Sequence, residues 1–126
     1  MAAETLILAI DDDLDILKLI RFMLTKEGYS VITADGGAEG LRLAKELNPD
    51  LILLDVSMPA VSGLDVLQAV RSDKDSKTNT IPILMLTAQV ATEDIDEALS
   101  LGANAYMVKP FRPSNLLAKI PTLLKK

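Results

Sequence analysis

Several residues that can bind a metal ion or react with phosphorus follow short apolar segments of the chain. The acidic run Asp11–Asp13 follows the first such segment, Asp55 ends another, and Thr87 and Lys109 come after two more. If these segments are parallel strands, their carboxyl ends share one edge of a sheet and these side chains lie close together. Crowded carboxylates favour the binding of a hard divalent cation, and we expect this cation to be Mg²⁺. Asp55 would then attack phosphorus, while the cation and Lys109 neutralise the phosphoryl oxygens and Thr87 donates a hydrogen bond.

The composition excludes several other kinds of chemistry. The 126 residues contain no Cys and no His, which rules out thiolate nucleophiles, disulfides, the usual zinc sites and a Ser-His-Asp triad. The formal net charge is −5, and Lys and Arg are not gathered into the basic surface that a nucleic-acid backbone requires. No apolar run approaches the roughly 20 residues of a membrane span. We therefore expect a cytoplasmic protein that binds neither nucleic acid nor membrane.

Short apolar runs alternate with segments of helical periodicity, a pattern typical of βαβ units around a parallel sheet. One domain over residues 1–126 is expected, because a second hydrophobic core would have too few residues and no linker-like segment occurs. The second strand is the most polar and therefore suits an edge of the sheet. The five predicted strands are Thr5–Ile10, Tyr29–Thr33, Leu51–Leu54, Ile81–Leu86 and Ala105–Val108.

Five helices are predicted to alternate with these strands. Gly28, Asn48 and Gly102 follow the first, second and fourth of them, where a left-handed residue can close the last turn. Pro121 predicts that the last helix kinks or ends just before it. The polar segment Ser72–Thr80 is predicted to be a loop. The predicted helices are Asp13–Lys26, Ala38–Leu47, Ser62–Arg71, Thr92–Leu101 and Pro113–Leu124.

Four short motifs lie at predicted strand ends and together extend over essentially the whole chain. They are Ile10-Asp11-Asp12-Asp13, Asp55-Val56-Ser57-Met58-Pro59 with Gly63 four residues after the Pro, Leu86-Thr87-Ala88 and Lys109-Pro110-Phe111. These motifs resemble those of the response-regulator receiver domain, in particular of chemotaxis-type single receivers. The resemblance implies a doubly wound, flavodoxin-like α/β fold of five βα units, with a five-stranded parallel sheet in the order 2-1-3-4-5.

The resemblance also implies roles for the residues around the metal ion. Asp12 would bind Mg²⁺ directly, and Asp11 would act mainly through metal-bound water. Asp55 would be both a metal ligand and the phospho-acceptor. The backbone carbonyl of Ser57 would complete the protein ligands.

The remaining motif residues are implied to contact the phosphoryl group and to transmit its presence. Thr87 would bind a phosphoryl oxygen, Lys109 would pair with the phosphoryl group, and the bond between Lys109 and Pro110 would be cis. Tyr106 corresponds to a switch aromatic that is exposed in one state and buried in the other, as Thr87 is drawn toward the phosphoryl group.

The function implied is a phosphorylation-dependent switch of a two-component signalling system. A histidine kinase or histidine phosphotransfer protein would phosphorylate Asp55, and a downstream protein target would bind the surface formed by Thr92–Leu101, Ala105–Val108 and Pro113–Leu124. Such a domain assists its own phosphorylation and dephosphorylation without being an enzyme. Since no effector domain follows Lys126, we expect a single-domain regulator or an excised receiver. Phosphorylation-dependent dimerisation stays open.

Simpler interpretations of these residues, and rival functions, also stay open. Asp13 is expected to be an N-cap of the first helix, and Asp11 and Asp12 taken alone suit the same role. The rival functions are a phosphorelay intermediate carrier, a degenerate receiver that only binds partners, and a small Mg²⁺-dependent aspartyl-phosphate phosphatase. The phosphatase normally has a second Asp two residues after its nucleophile, where this chain has Ser57.

Overall fold

The computed structural model describes residues 4–88 and 92–124 of the chain, and five parallel strands form its single sheet. The strand order is β2-β1-β3-β4-β5, so the predicted order 2-1-3-4-5 is confirmed and the polar second strand lies at an edge. The predicted domain extends over residues 1–126, of which 1–3, 89–91 and 125–126 lie outside the described residues. The strands are β1 (Leu6–Ile10), β2 (Ser30–Ala34), β3 (Leu51–Asp55), β4 (Ile83–Thr87) and β5 (Ala105–Val108).

Six helices lie within the described ranges, and none of them is long and apolar enough to cross a membrane. Five of them correspond to the predicted helices, with ends that differ by one residue. The sixth was not predicted, because it is a single short turn without a hydrophobic period. The helices are α1 (Leu14–Lys26), α2 (Gly37–Leu47), α3 (Gly63–Arg71), α4 (Ser76–Asn79), α5 (Thr92–Ser100) and α6 (Pro113–Leu123).

Two predictions about helices are wrong. The segment Ser72–Thr80 is not a continuous loop, because α4 begins after Asp75, whose side chain accepts a hydrogen bond from the Lys77 N–H. The alternative that the last helix ends just before Pro121 is also wrong, because the helix continues to Leu123, whereas the alternative of a kink stays a prediction. Its apolar face is buried against the sheet through two fully buried side chains, Leu116 and Ile120, and this packing outweighs the loss of one backbone hydrogen bond. 

Helices cover both faces of the sheet and bury its central strands. Every residue of β3 and β4 is buried, which explains why these strands are almost continuously apolar in the sequence. Alternate residues of β1 point to opposite faces: Ile7 packs with side chains of α1 and α6, whereas Leu8 packs with those of α2, α3 and α5. The sheet is therefore held rigidly between two apolar layers, and its strand ends are fixed in position.

The ends of the helices follow the turn chemistry expected from the sequence. Gly28, Asn48 and Gly102 have positive φ angles of 93°, 46° and 111°, so the three predicted left-handed positions are confirmed. At the start of α3, the Ser62 side chain accepts from the Asp65 N–H, and the Asp65 side chain accepts from the Ser62 N–H. This reciprocal cap fixes the start of the helix that follows the β3 strand end.

Candidate functional site

The carboxyl ends of β1 and β3 bring the three predicted acidic residues together. Asp55 is the last residue of β3, and Asp11 directly follows Ile10, the last residue of β1 and the neighbour of Leu54 in the sheet. One carboxylate oxygen from each of Asp11, Asp12 and Asp55 lies within 4.8 Å of the others. Asp11 and Asp55 are buried, whereas Asp12 is exposed. An all-oxygen donor set of this kind fits a hard divalent cation better than a soft metal.

Lys109 joins the two buried carboxylates from the far side of β4. Its Nζ donates a hydrogen bond of 2.7 Å to Asp11 Oδ2 and one of 3.2 Å to Asp55 Oδ1. The residue directly follows β5, and its backbone N–H donates to the Thr87 carbonyl at 2.7 Å. The peptide bond between Lys109 and Pro110 is cis. The strand ends of β1, β3 and β5 thus converge on one ammonium group.

The electrostatics of the site reflect two buried carboxylates that share this single ammonium. Burial raises the pKa of Asp55 above its ordinary value, and the Asp11 charge raises it further. Lys109 and the backbone N–H of Ser57 act in the opposite direction, but the net shift of the Asp55 pKa is upward. For Lys109, burial alone would lower the pKa, but hydrogen bonds and ion pairs with both carboxylates outweigh it and raise the pKa. The two buried carboxylates therefore favour positive charge at the site in addition to that of Lys109.

The third residue of the acidic run has a structural role. The Asp13 side chain caps α1 by accepting from the N–H groups of Asp15 and Ile16, which confirms the predicted N-cap. Asp11 takes part in the same turn, since its Oδ1 accepts from the Asp13 N–H at 2.9 Å. Its other oxygen contacts Lys109. Asp11 therefore both shapes the turn and contributes charge to the site.

Thr87 and Tyr106 lie on neighbouring strands and line one small cavity. Thr87 is the buried last residue of β4, next to the Asp55 end of β3, and Tyr106 on β5 is 40% exposed. Ser57, two residues after Asp55, is exposed and donates its backbone N–H to the Asp55 carboxylate. The cavity is lined by Val56, Leu64, Met85, Thr87, Ile95, Ala98 and Tyr106.

Two residues of the segment after β3 shape the site in ways that the sequence did not reveal. Gly63 packs against the backbone of Asp55, because a Cβ built on it would lie 2.1 Å from the Asp55 carbonyl oxygen. Its place in the motif was visible, but this contact was not. Ala60 has φ +67° at the centre of a three-residue turn in which the Val61 N–H donates to the Pro59 carbonyl at 2.8 Å. Ala carries no sequence signal for a positive φ.

Comparison with known proteins supports the resemblance seen in the motifs. The family model described as "Response regulator receiver domain" matches residues 7–121. The transcriptional regulatory protein KdpE of Mycobacterium tuberculosis is 40% identical over 122 residues, which are 97% of this chain and 52% of that protein. The DNA-binding response regulator MtrA of the same species is 36% identical over 120 residues, 95% of this chain and 50% of that protein. The chain thus spans about half the length of these curated relatives.

Two solved structures superpose on nearly the whole of this chain. The chemotaxis protein CheY4 of Vibrio cholerae superposes with a TM-score of 0.90 at 37% identity, over 97% of this chain and 100% of that chain. A CheY-like receiver domain protein of Methanospirillum hungatei gives a TM-score of 0.88 at 31% identity, over 95% and 93% of the two chains. These matches favour a signalling domain over the phosphatase and carrier alternatives. The chain therefore belongs to the response regulator receiver domain family, the phosphorylation switches of two-component systems.

Proposed function

We propose that Asp55 is the phospho-acceptor of this receiver and that a histidine kinase or histidine phosphotransfer protein phosphorylates it in the cytoplasm. The observation that carries the proposal is the contact of the Lys109 ammonium with both Asp11 and Asp55 at the carboxyl ends of the strands. Structural ion pairs at protein surfaces are usually exposed, whereas both carboxylates of this one are buried.

The chemistry follows from the positions of these side chains. A carboxylate oxygen of Asp55 attacks the phosphorus of phosphohistidine, so that a P–O bond forms and the P–N bond breaks, and the electron pair of that bond returns to the imidazole. Lys109 already contacts Asp55 Oδ1 and is placed to neutralise the phosphoryl oxygens. Asp11, Asp12, Asp55 and the Ser57 backbone carbonyl would hold Mg²⁺, and the bound ion would supply further neutralisation of the phosphoryl charge.

The phosphorylation state is proposed to be transmitted through Thr87 and Tyr106. Thr87 binds a phosphoryl oxygen in the proposed mechanism, and Tyr106 changes its exposure as Thr87 is drawn toward the site. Support comes from the small, largely apolar cavity that both side chains line, which places Tyr106 beside Thr87. The surface of α5, β5 and α6 then binds a downstream protein target in one state only. A ligand shifts such an equilibrium only by its differential affinity for the two states.

The test is incubation of the purified chain with Mg²⁺ and acetyl phosphate, followed by intact-mass measurement. We expect one phosphoryl adduct on the wild type and on Asp35→Asn, whose exposed carboxylate follows β2 at the same edge. We expect no adduct on Asp55→Asn. Phosphorylation of Asp55→Asn to the wild-type level, or of neither protein, would contradict the assignment.

A further inference from the structure

One arginine side chain connects four segments near the amino-terminal ends of the strands, opposite the candidate site. Arg71, the last residue of α3, donates from Nε to the Gly102 carbonyl at 2.9 Å and from Nη2 to Asn104 Oδ1 at 2.9 Å. Its Nη1 donates to the carbonyls of Asn79 at 3.1 Å and Ile81 at 2.8 Å. The guanidinium thus joins the ends of α3 and α4 to the start of β4 and to the turn between α5 and β5.

The turn that follows α5 is built closely around this arginine. Gly102 has φ +111°, and a Cβ added there would lie 3.0 Å from Cγ and Nε of Arg71. Asn104 Oδ1, which accepts from Arg71, also accepts from the Ile83 N–H at 2.8 Å. The C-terminal end of α5 is therefore fixed to α3 and β4 by directional, charge-assisted hydrogen bonds.

The middle of α5 is packed in a different way. Two side chains from its middle, Ile95 and Ala98, line the cavity described above, together with Thr87 and Tyr106. Apolar contacts around a cavity have no preferred direction, so they can be repacked at lower cost than a set of hydrogen bonds from one charged group. The C-terminal end of the helix is thus held by directional hydrogen bonds from a charged group, whereas Ile95 and Ala98 are held by apolar contacts beside a cavity.

We infer that Arg71 is the fixed point about which α5 moves when the receiver is phosphorylated. This inference rests on the proposed function of Asp55, because the phosphoryl group is the perturbation that acts at the opposite edge. The displacement of α5 is then largest toward its N-terminal end and smallest at Gly102. Arg71 acts as a positioning residue, since it touches none of the reacting groups.

The anchoring role can be measured without any ligand by amide hydrogen exchange. Arg71→Met keeps the aliphatic stem that contacts Gly102 but removes all of the hydrogen-bond donors. We expect the amides of Ile83 and Asn104 to exchange about tenfold or more faster in this variant, since hydrogen bonds from a charged group are lost there. Exchange at Leu8 in β1 should change much less. The control is Arg42→Met on α2, whose ion pairs are exposed and which should leave Ile83 and Asn104 unchanged.

The motion itself is tested by NMR with Mg²⁺ and beryllofluoride, an analogue of the phosphoryl group. In the wild type we expect large amide shift changes at Ile95 and small ones at Gly102. In Arg71→Met, the changes should extend to Gly102 and Asn104. Arg71→Lys, which keeps the charge with fewer donors, gives an intermediate response and serves if the Met variant does not fold.

Three outcomes separate this inference from the proposed function. Equal exchange at Ile83 and Asn104 in the Arg71→Met and Arg42→Met proteins would show that Arg71 anchors nothing. Wild-type shift changes at Gly102 as large as those at Ile95 would show that α5 moves as a whole. This result would overturn the inference of a fixed point at Arg71 but not the proposed function of Asp55. Wild-type protein that shows no shift at Asp55 would contradict the proposed function, and the ligand-free exchange would still decide the anchoring role.

Discussion

Replacing Gly63 by Ala should disrupt the junction between β3 and α3. The added Cβ would lie 2.1 Å from the Asp55 carbonyl oxygen and 2.8 Å from the Val56 Cα, and both of these are backbone atoms. Unstrained contacts between such atoms need about 3.5 Å, so α3 has to move away from the strand by more than about 1 Å. The atoms that clash belong to the strand end that carries the candidate phospho-acceptor, so the same change tests both the fold and the site.

The cost of this movement can be worked from two contributions. Overpacking of a well-packed site costs about 1–3 kcal/mol, and loss of the 2.9 Å hydrogen bond from the Gly63 N–H to the Val56 carbonyl costs about 1–2 kcal/mol more. The two contributions sum to about 2–5 kcal/mol, and the central value of about 3–4 kcal/mol is a large share of the roughly 5–15 kcal/mol that stabilises a domain. For a chain of this length it corresponds to a fall in Tm of about 10–15 °C.

Urea unfolding of the wild type, Gly63→Ala and Gly36→Ala provides the assay. Gly36 precedes α2, has extended backbone, and would have nothing within 4 Å of an added Cβ. The free energy of unfolding of the control, Gly36→Ala, should therefore fall by less than about 1 kcal/mol. If Gly63→Ala unfolds at the same urea concentration as Gly36→Ala, the junction relaxes freely and the close-approach argument is wrong. The Gly63 variant should also bind Mg²⁺ and beryllofluoride more weakly than the control.

Three further changes should each alter stability. In EDTA, Asp55→Asn should raise the Tm at pH 7. Burial raises the folded-state pKa of the Asp55 carboxyl, so its ionised form destabilises the wild type as the pH rises above about 4. Thermal scans of both proteins at pH 4 and pH 7 should therefore show a higher Tm for the variant only at pH 7. Ala60→Gly should stabilise by about 0.5–1 kcal/mol in urea, because Gly adopts the positive φ without strain. Thr78→Val should lower the free energy of unfolding by about 1–2 kcal/mol, since it removes the buried hydroxyl that donates to Asn48 Oδ1. Thr80→Val, at an exposed position, should lower it less.

The fold could be predicted from the sequence where burial on both faces leaves a clear pattern. Leu51 to Leu54 are 0% exposed and are apolar without interruption, so this strand was located within one residue. The start of β4 was placed two residues too early, because Ile81 and Pro82 are apolar but precede the first residue paired with β3. Helix α4 depends on one local cap and on a buried Thr78, and neither of these produces a periodic signal.

The site could be predicted in part because strand order alone decides which strand ends meet. In a parallel sheet of this order, Asp11 and Asp55 lie at the ends of neighbouring strands, and the long Lys109 side chain reaches both of them across the end of β4. The roles of Ala60 and Arg71 could not be predicted in the same way. They depend on which backbone atoms lie nearby after folding, and residue type gives no information about those atoms.

The charge balance at the strand edge gives a physical reason why a cation and a phosphoryl group should act on the same residues. When ionised, Asp11, Asp12 and Asp55 bring three negative charges against the one positive charge of Lys109, which leaves a net charge of −2. Burial of two of the carboxylates limits screening by water, so the excess favours a divalent cation. A phosphoryl group on Asp55 would raise its charge to about −2 and add acceptor oxygens, for which Lys109 and Thr87 are the proposed partners. Because Lys109 directly follows β5 and Thr87 ends the neighbouring β4, we expect a change at Asp55 to act on β5, which belongs to the proposed binding surface.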